Sequence, residues 1–413
     1  MIQPNIVENV LTNEEGRVSF YNGATTPTAS HTVTPLTPLA EINLNWTERD
    51  LRERERTKHV HRLHPYLGKY IPQLVEIFLR KYFKKGQTVL DPFCGSGTTL
   101  VQANELGINS VGFDISEFNI MLCRVKTGKY DIGLLKKEAA DLLHRVKSAS
   151  NGFGGQTLFS TIESYETVAK TDNDYLNTWF AERALKELLF YKHFLTDYTY
   201  RDFFKVVLSR SARSARLTTH FDLDFPKKPQ LEPYHCYKHS RMCQPTLEAL
   251  KFLERYTVDS VKRIEEFSKL RTSATVETHH VDSRFGESGQ IDGIITSPPY
   301  VGLIDYHDQH KYAYNLLGLT DNSDNEIGPA KRGSSIKAKE NYKIAMSEVF
   351  RHTGEKVRPG GKIIVVAGDR NNLYPDIAEM AGLRLVEKLD RHVNRRTGRR
   401  SSEFYETIFI YEK

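Results

Sequence analysis

The sequence has few cysteines and no long apolar run. Four cysteines occur in 413 residues, too few and too scattered for a disulfide framework. No apolar stretch approaches the roughly 20 residues that a membrane-spanning helix needs. The N-terminus also lacks a basic start followed by an apolar stretch, so no secretory signal is indicated. We expect a reduced, cytoplasmic protein with no membrane partner.

A strong excess of one charge is also absent. The chain carries 58 Lys and Arg against 52 Asp and Glu, for a net charge of +6. Such a mild basic excess favours an acidic partner such as nucleic acid, without specifying one. Because 39% of the residues are hydrophobic, the chain can bury a full core. The composition indicates one large domain with an insertion, or two domains.

Strand and helix patterns alternate in two separated parts of the chain. Residues 86–107 predict a strand, a glycine turn and a helix, and residues 108–116 predict a second strand that ends in an acid. Strand patterns return at residues 278–300 and 357–369, and the C-terminal segment predicts an edge hairpin. The predicted fold class is therefore α/β, with a Rossmann-like sheet and helices on both faces.

The region between these two parts has helical apolar spacing and many aromatic residues. The first 45 residues are rich in Thr, Pro, Asn and Ser and show no sustained period. We therefore predict an N-terminal arm, a sheet domain formed by two segments, and a mostly helical insertion. Their boundaries are 1–45 for the arm, 46–124 and 276–413 for the sheet domain, and 125–275 for the insertion.

A glycine turn lies in the segment DPFCGSGTTL. Gly95 and Gly97 stand where a strand gives way to a helix, so the backbone can approach a ligand closely. Asp114 ends the next strand, 23 residues after Asp91, where an acid can accept hydrogen bonds from ribose hydroxyls. An adenosine-containing ligand fits this pattern, although a plain tight turn would produce the same spacing.

The segment TSPPY follows the apolar strand IDGII, so it lies at the carboxyl end of a strand, where α/β folds bind ligands. The Ser297 hydroxyl and the Pro298 carbonyl can accept hydrogen bonds from an amino group. Pro298 and Pro299 fix the backbone, and Tyr300 offers a face for a ring to stack on. A proline turn that merely ends the strand is the structural alternative.

Together, DPFCGSGTTL and TSPPY resemble the amino-directed DNA methyltransferases, especially the SPPY-type cytosine-N4 enzymes of restriction-modification systems. The resemblance implies a methyltransferase sheet, S-adenosylmethionine as cofactor and double-stranded DNA as substrate. It also implies that Ser297, Pro298, Pro299 and Tyr300 are catalytic. Asp114 would bind the ribose, and Asp282 would accept from the adenine amino group. The cofactor-binding residues implied are His64, Pro65, Asp91, Phe93, Cys94, Gly95, Gly97, Thr98, Asp114, Ile115 and Asp282.

In this family a serine at the first motif position is commonest in cytosine-N4 enzymes, whereas aspartate or asparagine is typical of adenine-N6 enzymes. We therefore expect methylation of cytosine N4 after base flipping, with adenine N6 as the alternative. An RNA methyltransferase and a non-catalytic protein that binds DNA in response to S-adenosylmethionine stay open as well. A companion restriction endonuclease acting on the same site is the family expectation.

Two other chemistries lack their required residues. Carbon-5 methylation of cytosine needs a nucleophilic thiol, usually presented after proline, and the sequence has no Pro-Cys pair. A nicotinamide-dependent dehydrogenase would carry the third glycine of GxGxxG, which is missing here. Asp305, Tyr306, His307 and His310 follow TSPPY closely enough to line the target pocket or support its wall, and an ordinary helix start is the structural alternative.

Three basic groups are candidates for DNA contact. The first is in LSRSARSARL of the insertion, the candidate target-recognition region, and the third is in the probable hairpin tip NRRTGRR. The candidates are Arg210, Arg213 and Arg216; Lys238 and Arg241; and Arg395, Arg396, Arg399 and Arg400.

The segment HCYKHSRMC places His235, Cys236, His239 and Cys243 within nine residues. Zinc binding is one interpretation, but the spacing is not that of a common finger or knuckle. We therefore expect no metal, and interpret the cysteines as reduced core residues.

Overall fold

The computed structural model describes residues 11–12, 18–19, 26–151, 167–393 and 404–413. The helices within these ranges are α1 Glu53–Arg56, α2 Pro72–Tyr82, α3 Thr98–Glu105, α4 Glu117–Thr127, α5 Ile132–Ser150, α6 Asp174–Trp179, α7 Glu182–Phe194, α8 Arg201–Ala215, α9 Leu250–Ser268, α10 Tyr306–Gln309, α11 Lys311–Leu317, α12 Ile336–Gly354 and α13 Tyr374–Ala381. The strands are β1 Leu11–Thr12, β2 Val18–Ser19, β3 Thr88–Asp91, β4 Asn109–Asp114, β5 Tyr234–Cys236, β6 Arg241–Cys243, β7 Val276–His280, β8 Ile291–Thr296, β9 Val357–Ala367, β10 Arg384–Val393 and β11 Phe404–Glu412.

A seven-stranded sheet with the order β10-β11-β9-β8-β3-β4-β7 forms the centre of the fold. Its five strands from β9 to β7 are parallel, whereas β11 is antiparallel to both β9 and β10. The chain leaves β3 toward β4 on one side and later returns to β8 on the other. The carboxyl ends of β3 and β8 therefore flank a topological switch point, where such sheets bind ligands.

Alternating side chains of the central strands belong to two different cores, as the period of a strand requires. Val89, Ile295 and Ile364 pack in a cluster with α2 and α3. Leu90 and Ile294 pack on the opposite face with α12 and α13. The α/β Rossmann-like sheet with helices on both faces is confirmed, and so is the C-terminal hairpin at its edge.

Helices α5 to α9, from the 125–275 region, pack in a third cluster that extends beyond that region. Its buried members include Phe118 and Leu122 of α4 and Tyr312 of α11. The helical region therefore shares one continuous core with elements that follow β4 and β8. Within the described residues, no helix is both long and apolar enough to cross a bilayer.

The described part of the N-terminal segment packs tightly against the sheet domain. Val33, Ile42 and Leu44 are all buried in the cluster with α2. The Trp46 indole N–H donates to the carbonyl oxygen of Thr28 at 3.0 Å. Residues 26–45 therefore lie against the sheet domain, because Val33, Ile42 and Leu44 pack with α2.

We expect Ile42→Ala to lower the free energy of unfolding by about 2–5 kcal/mol. Ile42 is only 1% exposed, so the shorter side chain leaves a cavity in the core. Leu36→Ala is the matched control, since Leu36 is 91% exposed, and it should leave stability within about 0.5 kcal/mol of the wild type. Urea denaturation measures both. Equal effects of the two changes would contradict the docked position of this segment.

Candidate active site

The glycine turn between β3 and α3 is held against the end of β4. Gly95 and Gly97 have φ angles of +48° and +80°, a region that other residues rarely adopt. The Gly95 amide donates to Asp114 Oδ2 at 2.8 Å, and the Cys94 amide donates to the Phe113 carbonyl at 2.9 Å. The turn and the acid that ends β4 are therefore fixed relative to one another.

Asp91, the last residue of β3, connects the elements around the site through hydrogen bonds to its carboxylate. Its buried carboxylate accepts hydrogen bonds from the hydroxyls of Thr99 at 2.6 Å, Thr296 at 2.6 Å and Tyr70 at 3.1 Å, and from the Phe93 amide at 3.1 Å. Burial raises the pKa of Asp91 to about 6, and these hydrogen bonds oppose the rise. The carboxylate thus joins the start of α3, the segment before α2 and the end of β8.

A cleft of about 800 Å³ opens at the switch point. Nine of the predicted site residues line it, which brings the glycine turn, the two acids and the TSPPY segment together. They are Phe93, Cys94, Gly95, Thr98, Asp114, Ile115, Asp282, Ser297 and Pro299.

Six predicted residues do not line this cleft: His64, Pro65, Asp91, Gly97, Pro298 and Tyr300. His64 is buried behind the wall, where Nδ1 is 2.8 Å from the Pro65 carbonyl oxygen and Nε2 is 3.0 Å from Ser209 Oγ. Burial holds the pKa of His64 well below its usual range. The expectation that His64 contacts the cofactor is therefore corrected, because its ring supports the wall instead.

The cleft also contains residues that the sequence patterns did not single out for it. The Tyr66 hydroxyl accepts from the Asn119 side-chain amide at 3.2 Å, and the Tyr66 ring stacks on Tyr306 with centroids 6.0 Å apart. Lys69 donates to the His61 carbonyl at 2.7 Å, and burial lowers its pKa to about 7. Tyr66 and Lys69 belong to the same segment, HPYLGKYIP, as His64 and Pro65. The motif therefore indicated a segment that lines the cleft, but it does so through these other side chains.

An ion pair and a hydrogen-bonded histidine–carboxylate pair border the cleft. Asp282 is held by Arg284, whose Nη2 lies 2.6 Å from Asp282 Oδ2. His307 Nδ1 donates to the buried Glu326 carboxylate, and His307 Nε2 accepts from the Asn322 amide at 3.3 Å. Of the residues that follow TSPPY, Tyr306 and His307 line this cleft, and their expected place in the target pocket stays a prediction.

Polar atoms in the wall lack partners among the described residues. Ser96 Oγ and Asn119 Oδ1 are buried without a hydrogen bond, and both residues line the cleft. A side chain at Gly95 would place a Cβ 3.2 Å from the Tyr66 hydroxyl. Buried polar groups need partners, so the cleft fits a polar ligand such as a nucleoside cofactor.

The TSPPY segment extends the cleft from the end of β8. No described residue hydrogen-bonds to the Ser297 hydroxyl, whereas the Pro299 carbonyl accepts from the Tyr342 hydroxyl at 2.8 Å. A Cβ added to Gly368, just past β9, would lie 3.3 Å from the Tyr300 ring. Tyr300 therefore packs against the end of β9, next to the cleft.

The three arginines predicted to contact DNA, two in α8 and one directly after it, are turned into the protein. Arg210 Nη1 lies 2.6 Å from Asp259 Oδ2, and Arg213 Nη2 lies 2.6 Å from Asp224 Oδ1. Arg216 is 2% exposed, and its guanidinium donates to the Leu223 carbonyl. These side chains join α8 to neighbouring segments, so their assignment to DNA contact is withdrawn.

The other basic candidates lie elsewhere. Lys238 and Arg241 are exposed in the β5–β6 hairpin. Arg395, Arg396, Arg399 and Arg400 lie outside the described residues. The residues that flank them, Val393 and Phe404, are paired in the sheet.

The expectation of no metal is weakened by a cluster near this hairpin. The side chains of Cys236, His239 and Cys243 converge with His220. His235, which sequence spacing had included, is instead exposed and packs edge-on against Tyr237. All four cysteines are free and buried in the structure.

Comparison with known proteins gives several similarities. A family model described as DNA methylase matches residues 38–123. The chain is 40% identical to Type II methyltransferase M.MjaII of Methanocaldococcus jannaschii, over 87% of this chain and 81% of that protein. It is 23% identical to Type II methyltransferase M.MvaI of Kocuria varians, over 58% of this chain and 53% of that protein. Among solved structures, TrmN from Thermus thermophilus matches 84% of this chain and 50% of that one, with 13% identity and a TM-score of 0.32.

The raised pKa of Asp91 predicts a pH-dependent difference from Asp91→Asn. The folded protein favours the protonated carboxyl, so the wild type loses stability relative to the non-titrating variant as the pH rises from below 3.8 to above about 6. The increase of the Asp91 pKa from 3.8 to about 6 on folding corresponds to a loss of about 3 kcal/mol in the free energy of unfolding over this pH range.

Urea denaturation of both proteins between about pH 4 and pH 7 measures this relative change. Asp50→Asn is the control. Hydrogen bonds from Thr47 lower the pKa of the exposed Asp50, so its relative change should be small and of opposite sign. A difference between Asp91→Asn and wild type that does not vary with pH would show that Asp91 is not the buried acid described.

Proposed function

This chain belongs to the DNA methylase family of Type II methyltransferases, and from that premise we propose that it methylates the N4 amino nitrogen of cytosine in duplex DNA. The cofactor of this family is S-adenosylmethionine. One observation carries the proposal: the Ser297 hydroxyl, at the carboxyl end of β8, lines the same cleft as the glycine turn and Asp114. A hydrogen-bond acceptor for an amino group thus lies next to a nucleoside-sized site.

The cofactor site would use groups that already converge. Asp114 Oδ2 receives the Gly95 amide and Asp114 Oδ1 receives the Ser116 amide at 2.8 Å, so its carboxylate is oriented for ribose hydroxyls. Burial raises the pKa of Asp114, because the ionised carboxylate has lost solvation by water. Ribose hydroxyls would donate hydrogen bonds in place of that water. Asp282 at the opposite rim would accept from the adenine amino group. Bound S-adenosylmethionine supplies an electrophilic methyl group on a sulfonium centre.

The chain's part in methyl transfer would be to hold the target amino group. The lone pair of an aromatic amine is delocalised into its ring, and acceptors for its two protons favour a more tetrahedral nitrogen. The Ser297 hydroxyl and the Pro298 carbonyl would serve as these acceptors. The amino nitrogen would bond to the methyl carbon as the bond from that carbon to the cofactor's sulfur breaks, and one amino proton would pass to solvent at this polar edge of the cleft.

A covalent enzyme intermediate is not part of this proposal. Cys94 is the thiol nearest the site, and its hydrogen bond with Cys123 and its burial raise its pKa well above the usual range. The thiolate, which is the nucleophilic form, is therefore disfavoured. Direct attack by the amino nitrogen is consistent with the absence of a reactive thiol in the cleft.

The target base must leave the duplex to reach Ser297, at a cost of a few kcal/mol. Stacking on an aromatic ring returns about 1–3 kcal/mol per base. Tyr300, next to Ser297 and packed near Gly368, is our candidate for that ring. Phosphate contacts would supply the remaining binding energy.

We predict that Ser297→Ala lowers kcat by roughly 100–1000-fold, the loss typical when one pre-organised hydrogen-bonding group is removed. The affinity for S-adenosylmethionine should stay unchanged, since the cofactor groups are intact. Ser268→Ala, an exposed serine at the end of α9, is the matched control. The measurement is transfer of labelled methyl groups to duplex DNA, with cofactor binding by calorimetry.

Mass spectrometry of the digested product identifies the base. N4-methylcytosine supports the proposal, whereas N6-methyladenine would keep the role of Ser297 and change the substrate. Labelled RNA without labelled DNA, or cofactor binding without any transfer, would overturn it. The names of the Type II relatives also lead us to propose a companion endonuclease that cuts the same sequence.

DNA is proposed to approach the carboxyl edge of the sheet. Thr407 of β11 pairs with Ala367 at the end of β9, and Val393 pairs with Phe404. The ends of β10 and β11 that flank the arginine-rich segment therefore lie at the same edge as Ser297. This register supports a role for Arg395, Arg396, Arg399 and Arg400 in gripping the DNA backbone, with exposed Lys238 and Arg241 as further candidates.

Replacement of Arg399 and Arg400 together by alanine should make DNA binding less dependent on salt. Each lost phosphate contact lowers the slope of log affinity against log salt by about 0.9 for B-form DNA, so we expect a decrease of roughly two. Lys84→Ala with Lys85→Ala is the matched control, because these exposed lysines precede β3 at the amino edge. Equal slopes for the two double variants would remove the arginines from the interface.

A further inference from the structure

A compact group of four soft donors lies outside the cleft. We call it the Cys2His2 cluster: His220, Cys236, His239 and Cys243. Its four potential ligand atoms all lie within 4.8 Å of one another. Cys236 Sγ is 3.6 Å from both His220 Nδ1 and His239 Nδ1, and Cys243 Sγ is 3.5 Å from His239 Nδ1.

These separations match the edges of a tetrahedral zinc site. Zinc binds sulfur at about 2.3 Å and imidazole nitrogen at about 2.0–2.1 Å, so a tetrahedral angle places sulfur and nitrogen about 3.6 Å apart. The observed distances of 3.5 and 3.6 Å agree with that value. Two thiolates and two imidazoles form a donor set that suits zinc, and no carboxylate is among them to favour calcium or magnesium.

The fold brings these ligands together from two segments. Cys236 ends β5 and Cys243 ends β6, and the turn between them carries His239. The turn is tight, since the His239 amide donates to the Cys236 carbonyl at 3.1 Å and Ser240 has a φ of +51°. The fourth ligand, His220, comes from the loop that follows α8, so spacing within HCYKHSRMC alone could not identify it.

Tyr234 borders the cluster. Its hydroxyl accepts from the His220 amide at 3.0 Å and lies 2.9 Å from His220 Nδ1. A cation at Nδ1 would replace the second contact and leave the first. The hydroxyl would then orient the His220 backbone, as groups around metal ligands commonly do.

The segment that holds the cluster has little other support. Between α8 and α9 the structure has only two strands of three residues each, in a part of the chain that is described throughout. Tyr237 is 78% exposed and Met242 is 59% exposed, so this hairpin buries few large side chains. A small unit with so little core commonly needs a metal or disulfides for stability, and its two cysteines are free.

We propose that His220, Cys236, His239 and Cys243 bind one structural zinc ion, which fastens the β5–β6 hairpin to the loop after α8. Binding releases the protons of the two thiols to solvent and leaves no open coordination position. The site is separate from the cleft, and the proposal does not depend on the methyltransferase assignment.

The first test is metal analysis of the purified full-length chain, followed by exchange for cobalt. We expect one zinc per chain, and a cobalt form with the visible absorption and thiolate charge-transfer bands of a tetrahedral thiolate site. Chelation should lower Tm and expose the segment between α8 and α9 to limited proteolysis. A wild-type chain that binds neither metal, or one in which Cys236 and Cys243 form a disulfide under reducing conditions, overturns the proposal.

Variants locate the site. Cys243→Ser and His220→Asn should weaken zinc binding by more than the roughly 10–100-fold typical of changes to groups around the ligands. His235→Asn is the matched control, because His235 is in the same hairpin and outside the cluster, and it should keep full zinc content. Equal loss in all three variants would refute the assignment, and the wild-type cobalt spectrum decides the matter if a ligand variant fails to fold.

Discussion

The buried carboxylate of Asp91 is the contact on which the arrangement of the site depends. It lies at the end of the central strand β3 and accepts hydrogen bonds from Thr99 at the start of α3, from Thr296 at the end of β8 and from Tyr70 before α2. A buried charge is tolerated only when its acceptor capacity is met. The same hydrogen bonds that satisfy Asp91 therefore fix the glycine turn relative to Ser297.

The order of the strands explains how a single carboxylate can contact both the glycine turn and the end of β8. The chain visits β4 on one side of β3 and β8 on the other, so segments about 200 residues apart in sequence end beside one another at the switch point. The helices of the 125–275 region share their core with α4 and α11. Helices α4 and α11, which follow site segments in the chain, therefore pack directly against the helices of that region.

Prediction from sequence succeeded for features that depend on neighbouring residues in the chain. It failed for side chains whose contacts lie in distant segments. The turn at Gly95 and Gly97 follows from backbone freedom alone. Arg210 and Arg213 lie in a helix, and their side chains turn toward Asp259 and Asp224, contacts that no period of the sequence reveals. His64 was misassigned for the same reason, since its neighbours Tyr66 and Lys69 turn toward the cleft.

The sequence by itself determined the α/β class and the order of strand, turn and helix around DPFCGSGTTL, because these depend on periodicity and on the backbone properties of glycine. The link between that turn and TSPPY came from the resemblance to a known family. Only the tertiary structure decided which side chains line the cleft, which arginines are buried, and that His220 joins Cys236, His239 and Cys243. Those outcomes depend on contacts between distant segments, and such contacts exist only once the cores have packed.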